Sequence, residues 1–273
     1  MSSSLSPAIR RLTRLLKDPG HYVSLCLKIA EQPLAGLFAG TAFYMQGQMD
    51  INPRSRWHDR EFAGKSGGYF CPEDPVKRVI VSLEPWDTVR RDMLILLLRT
   101  IVERDVGGDL AELGVYKGHS ARLIHHYMPD RPLHLLDTFG GFNQGDLRET
   151  GTVDQQKNLA GMFKDTSVDG VLSYIDPVSE NVRMYPGVFP ASVPESLVSK
   201  RFAFVHLDAD IYEPTVTGLR FFYPRMSQGG IIVVHDYNAW LGARTAVKEF
   251  FADKPEVPLP MPDKSGSVVI VKQ

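Results

Sequence analysis

Asp109-Leu-Ala-Glu-Leu-Gly-Val-Tyr-Lys-Gly-His-Ser120 joins a short apolar run, two glycines four residues apart and a serine placed where a helix would begin. Asp109 to Leu113 predicts a strand, the glycine segment a turn, and Ser120 to Tyr127 a helix. The alternation continues downstream. Leu133 to Leu136 predicts a second strand ending on Asp137, and Arg201-Phe-Ala-Phe-Val-His-Leu207 a third ending on Asp208. Gly230-Ile-Ile-Val-Val234 predicts a fourth, ending on His235-Asp236. Glu213-Pro214 opens a helix, with proline in a first turn where its missing N–H costs little. Gly242 to Phe251 predicts another helix, and Ser267 to Lys272 a terminal strand. Upstream, Asp87 is placed to cap a helix running through Met93-Leu-Ile-Leu-Leu-Leu98 to Val102. Strands alternating with helices imply an α/β fold with a doubly wound, mainly parallel sheet covered on both faces.

Outward from this region the organisation changes. At 273 residues the chain suits one α/β domain over 76–273 with a helical extension over 1–75. Leu5, Ile9, Leu12, Leu15 and Leu16 recur at helical spacing with Arg10, Arg11, Arg14 and Lys17 between them. Such a helix packs on its own protein or a second subunit, or else touches a membrane surface or an acidic partner. A homo-oligomer formed through this extension is one expectation. Residues 50–75, with Trp57, Tyr69 and Phe70, predict a lid or a plain linker. Lys and Arg number 31 against 32 Asp and Glu, which lacks the basic excess of a nucleic-acid binder. Cys26 and Cys71 are too few for a disulfide framework or a Cys-type zinc site. The apolar stretch from Tyr22 to Met45 is broken by Lys28, Glu31 and Pro33, so no transmembrane segment is expected. No signal-peptide layout is apparent, and a cytoplasmic enzyme is the expectation.

The polar residues fall at the predicted strand ends, where an open α/β sheet binds its ligands. Gly114 and Gly118 let backbone approach a ligand, and the helix start offers N–H groups to an anion, with Ser120 as a further donor. Asp137, about twenty residues on, is placed to accept ribose hydroxyls. Together these predict a nucleoside-containing cofactor, and the Gly-x-x-x-Gly spacing disfavours a nicotinamide or flavin dinucleotide. Asp208, Asp210, His235 and Asp236 converge if their strands are neighbours. Crowded carboxylates need a cation or a shared proton, and oxygen-rich ligation suits magnesium, calcium or manganese. Helix caps and structural hydrogen bonds are the plainer reading of the same residues.

The segments Ala111 to Ser120, Leu135-Leu-Asp-Thr-Phe139, His206-Leu-Asp-Ala-Asp-Ile-Tyr-Glu-Pro214 and Gly229-Gly-Ile-Ile-Val-Val-His-Asp-Tyr237 resemble the macrocin O-methyltransferase family over roughly residues 76–273. The resemblance implies a seven-stranded class I methyltransferase sheet, S-adenosyl-L-methionine as donor, a divalent cation, usually magnesium, and a sugar or glycoside hydroxyl as acceptor. It further implies that Glu112, Gly114, Gly118 and Ser120 line the methionine and ribose end, and that Asp137 takes the ribose. Within Tyr185-Pro-Gly-Val-Phe189, it makes Gly187 and Phe189 contacts of the adenine. It assigns a metal to Asp208 and makes Asp210 the base for the hydroxyl proton. Where relatives carry two adjacent aspartates, this chain has His235-Asp236. An imidazole in that place favours manganese, iron or zinc over magnesium, or makes His235 the base with the metal weak or absent. Gly140 is a second departure, with no chemistry attached. Rival readings are a metal-independent or phenol-directed methyltransferase and a non-catalytic donor-binding protein.

Overall fold

The structure, a computed structural model, describes residues 88–147 and 159–273. The basic N-terminal helix, the Asp87 cap and the 50–75 segment therefore lie outside the described residues.

Seven strands form one sheet: β1 (Asp109–Leu113), β2 (Leu133–Asp137), β3 (Val182–Pro186), β4 (Phe202–Leu207), β5 (Met226–Val234), β6 (Leu259–Pro260) and β7 (Val268–Val271), in the order β3-β2-β1-β4-β5-β7-β6. The pairings from β3 across to β5 are parallel, whereas β7 runs antiparallel to both β5 and β6. From β1 the chain winds outward through β2 to β3, then crosses to β4 on the other side of β1. The strand order therefore reverses between β1 and β4, which opens a crevice at their carboxyl ends.

Sequence pattern explains this layering. Every residue of β4 is buried, the mark of a central strand covered on both faces. Leu110, Leu133, Leu135, Phe204 and Ile231 pack on one face against helices α1 (Thr88–Glu103), α2 (His119–Tyr127) and α4 (Val168–Ile175). In α1 the residues Leu94, Leu98 and Ile101 form the buried stripe. Ala111, Leu113, Leu136, Val205 and Ile232 occupy the other face, with Leu219 and Phe222 from α6 (Tyr212–Phe222) and Val247 from α7 (Leu241–Phe250). Short helices α3 (Gln144–Leu147) and α5 (Glu195–Val198) are the others among the described residues. Among the described residues no helix is long and apolar enough to cross a membrane.

Some elements have weak sequence signals. Edge strand β3 buries only Val182 fully, so it lacks an apolar run. β5 starts at Met226 rather than Gly230 because Ser227-Gln-Gly229 looks like a turn yet continues the strand.

At the far edge Glu256 is nearly inaccessible, and it accepts hydrogen bonds from Lys272 Nζ (2.7 Å), the Tyr223 hydroxyl (2.6 Å) and the Gln273 N–H (3.2 Å). Burial alone would raise this carboxyl, but those donors hold it down at about 2 against an ordinary 4.5. A depressed carboxyl stabilises the fold above its unfolded pKa and loses that contribution as pH falls through the folded one. Glu256→Gln should therefore cost about 1–3 kcal/mol at neutral pH, read by urea denaturation. The gap to the parent should narrow below pH 4.5 and close toward 2, and a gap independent of pH would contradict the assignment.

Candidate active site

Strand register assembles the crevice. Leu113 pairs with Leu207 across β1 and β4, and Leu207 with Val234 across β4 and β5. The next residue of each strand is Gly114, Asp208 and His235, so these three lie side by side at the carboxyl edge. The ladder continues through them: Gly114 N–H donates to Leu136 O (2.9 Å), Asp208 N–H to Leu113 O (2.8 Å) and His235 N–H to Leu207 O (2.8 Å). A cavity of about 390 Å³ opens here, lined by Gly114, Ser120, Asp137, Gly187, Phe189, Asp208, Asp210, His235 and Asp236 among others.

The polar cluster carries dense charge. His235 Nδ1 lies 2.9 Å from Asp208 Oδ1 and 3.0 Å from Asp236 Oδ2, and Arg90 Nη2 lies 2.6 Å from Asp208 Oδ2. Burial works against ionising both Asp208 and Asp236. Arg90 and then His235 outweigh it at Asp208, while hydrogen bonds from His235 and Asp210 outweigh it at Asp236, so both carboxyls sit below the ordinary range. Burial, then the charges of Asp208 and Asp236, push Asp210 well above that range, and it shares a hydrogen bond with Asp236. Burial also disfavours charge on His235, but Asp208 and Asp236 lift it to about 10. Asp210 and Asp236 both hold left-handed backbone, with φ of 60° and 57°, a strain that persists where the surroundings enforce it. One ligand atom each from Asp208, His235 and Asp236 falls within 4.8 Å of the others, and His235 Nε2 is buried without a hydrogen-bond partner. Two carboxylates, an imidazole and this spacing fit a divalent cation.

Several expected contacts sit differently. Glu112 is fully buried inside β1, behind the cavity wall, because its place in the strand turns it into the α1–α2 face. The Ser120 hydroxyl lines the cavity but donates to Glu112 Oε1 at 2.5 Å. Gly118 does not line the cavity: a side chain there would meet Val171 Cγ1 at 2.9 Å, so its glycine serves packing on α4 and a turn at φ 79°. Gly114 is the close-approach position, since a Cβ there would fall 2.0 Å from the Asp208 carbonyl oxygen. Asp137 reaches the cavity, yet its Oδ2 accepts from the Val115 and Tyr116 N–H groups (2.7 and 2.8 Å) and its Oδ1 from Phe139 N–H (2.7 Å). Its first task is to brace the glycine turn.

The structure adds residues that the sequence did not flag. Arg90 stands one helical turn before Leu94 on the buried stripe of α1, the only hint of its inward position. His206 is a polar residue in the otherwise apolar β4 run, and that was a readable signal. Asp263 is buried 3.9 Å from His235 Nε2 and accepts from Ser267. Along the wall formed by Tyr116 and Lys117, the Tyr116 OH and Lys117 Nζ each bind Asp165 at 2.6 Å, and their hydrogen bonds hold its carboxyl at about 2. Phe163 packs edge-on against Tyr116 and Phe142, giving that wall an aromatic surface.

A family model described as macrocin-O-methyltransferase matches residues 88–269. The demethyldecarbamoylnovobiocin O-methyltransferase of Streptomyces niveus is 29% identical over 163 residues, covering 56% of this chain and 61% of the relative. The mycinamicin III 3''-O-methyltransferase of Micromonospora griseorubida is 30% identical over 164 residues, covering 53% and 61%. The chain thus spans less than two thirds of the length of these curated relatives. The solved structure of the O-methyltransferase NovP superposes with a TM-score of 0.61 at 23% identity, over 92% of this chain and 99% of that one, a likeness of fold.

The two glycines should separate on substitution. Gly118→Ala should lose about 1–3 kcal/mol of stability while its affinity for S-adenosylmethionine stays within roughly threefold of the parent. Gly114→Ala should lose more than roughly tenfold in that affinity, read by calorimetry. Equal effects on binding would restore Gly118 to the ligand site.

Proposed function

The chain belongs to the macrocin-O-methyltransferase family and has the class I methyltransferase fold, and on that premise we propose that it methylates a hydroxyl of a sugar, glycoside or related natural product, with S-adenosylmethionine as donor and a divalent cation at Asp208, His235 and Asp236. The observation that carries this reading is the convergence of Asp208, Asp210, His235 and Asp236 on one cavity at the switch point. The bound donor supplies an electrophilic methyl on sulfonium, and the bound cation supplies Lewis acidity toward an acceptor hydroxyl.

The protein's part is placement. Gly114 and Gly187 admit the donor close to backbone, at φ of 85° and 132°, and Phe189 offers an apolar surface for an adenine. Asp137 keeps the turn in shape and retains capacity at Oδ1 toward a ribose. Asp210 receives the hydroxyl proton from the acceptor side of the cluster. Tyr116, Phe142 and Phe163 present the aromatic wall on which the ring of a sugar can lie. The crevice at the strand ends would hold hydroxyl and methyl in line. Burial and then the charge of Asp208 raise Asp210 well above the ordinary carboxylate range, and, against burial, Asp208 and Asp236 lift His235 to about 10, so the cluster favours added positive charge and strengthens Asp210 as a base. A divalent cation would carry the same added charge, which supports its place here. A second reading has one observation in its favour: Arg90 and charged His235 already balance Asp208 and Asp236, as a metal-independent transferase would require.

Calorimetry of the chelator-stripped protein with S-adenosylmethionine should show binding, and its absence with or without Mn2+ would sink the proposal. Asp210→Asn should keep donor affinity within roughly threefold while methyl transfer falls on the order of 10²–10⁴-fold. His235→Asp should raise Mg2+ affinity relative to Mn2+ by roughly tenfold, and an unchanged ratio would remove His235 from the ligand set.

A further inference from the structure

Glu112 and His206 are register partners across β1 and β4, and neither is exposed at all. A carboxylate and an imidazole in a sheet interior lose hydration that only partners can replace. A well-packed apolar pair in their place would be as stable or more so, so stability alone does not explain them. Glu112 Oε1 accepts from Ser120 Oγ at 2.5 Å and from His206 Nδ1 at 2.7 Å, while its Oε2 has no hydrogen-bond partner.

The remaining contacts give this pair a direction. With its Nδ1–H directed at Glu112, the His206 ring turns Nε2 toward Arg90. Arg90 Nη2 lies 3.5 Å from that atom and also donates to Asp208 Oδ2 at 2.6 Å. Asp208 Oδ1 receives the His235 Nδ1 proton at 2.9 Å. The series runs from Ser120 through Glu112 Oε1, the His206 ring and Arg90 Nη2 to Asp208.

We propose that Glu112, His206 and Arg90 form a buried positioning chain that orients Asp208 from behind and ties it to Ser120 in the cavity lining. Glu112 is a positioning residue, since it reaches the cavity only through others. It fixes the His206 tautomer; the alternative tautomer would turn an N–H toward Arg90 and drive the guanidinium from Asp208. Arg90 in turn occupies Oδ2 and leaves Oδ1 as the oxygen turned to His235. The kinetic consequences rest on the methyltransferase reading, whereas the coupling along the chain does not.

The test uses the full chain, 15N-labelled, as wild type, Glu112→Leu, Glu112→Gln and Arg90→Met. Two-bond proton–nitrogen correlation of the histidine rings should show His206 as the Nδ1–H tautomer in the wild type. In Glu112→Leu and Arg90→Met the His235 ring nitrogens should shift, although Glu112 does not touch His235. In Glu112→Leu, Mn2+ affinity, followed by electron paramagnetic resonance, and kcat should fall by roughly tenfold or more, with donor KM within roughly threefold; Arg90→Met also removes a cation beside Asp208, so it is read by the His235 signals and kcat alone. Glu112→Gln keeps an acceptor for Ser120 and His206 and should restore most of both. A merely structural Glu112 would change the melting temperature alone, and unmoved His235 signals in the folded variants would overturn the chain. If Glu112→Leu does not fold, Arg90→Met, placed at the helix end, decides by the same signals. If the wild type binds neither Mn2+ nor S-adenosylmethionine, the functional reading fails while the His235 signals still judge the chain.

Discussion

Three backbone hydrogen bonds carry the parallel ladder one residue beyond the strands, at Gly114, Asp208 and His235, and the site depends on them. A parallel sheet fixes each residue relative to its neighbour by regular, slanted N–H to C=O bonds. Extending that pattern past the last strand residue aligns one glycine, one carboxylate and one imidazole to within the tolerance of the sheet itself. The cavity then needs only the crevice left where the strand order reverses. Rigidity here is inherited from the apolar layers on both faces, so the two cores and the site are one structural argument.

Electrostatics acts within that frame. Asp208, Asp210 and Asp236 are brought closer together than three charges tolerate, and the molecule answers with Arg90, with His235 lifted to about 10 and with Asp210 pushed well above the ordinary carboxylate range. Each answer has a place in the fold: Arg90 on the buried stripe of α1, His235 one step beyond β5, Asp210 in a left-handed turn after β4. An imidazole beside two carboxylates thus sets the charge that the pocket carries before any ligand arrives.

Much of this was legible in the sequence. The largely apolar run of β4 and the acidic or imidazole residues at the ends of β2, β4 and β5 were readable, because burial and strand-end chemistry are local properties. The convergence of Asp208, His235 and Asp236 followed once neighbouring strands were assumed. What the sequence hid depends on which way a residue faces. Glu112 and Gly118 belong to the right motif, but strand parity turns the first into the core and the helix entry turns the second onto α4. Ser120 and Asp137 reach the cavity with much of their hydrogen-bonding capacity already engaged, a fact visible only from partners 8 and 21–22 residues distant. Arg90 is separated from Asp208 by 118 positions, and no local pattern announces so long a pairing.

The contact between Gly114 and the Asp208 carbonyl bears on thermal motion. The oxygen fills the space that a side chain at Gly114 would need, so the turn and the start of the carboxylate cluster share a wall with no slack. Backbone packed in this way fluctuates by about half an ångström along each axis, and here the two sides must fluctuate together. Two molecules held on either side of that wall would then keep their separation through a main-chain contact and not through side-chain rotamers. The approach distance is narrow in spread at any temperature at which the sheet survives, so warming the protein should loosen its outer loops well before it blurs the meeting point.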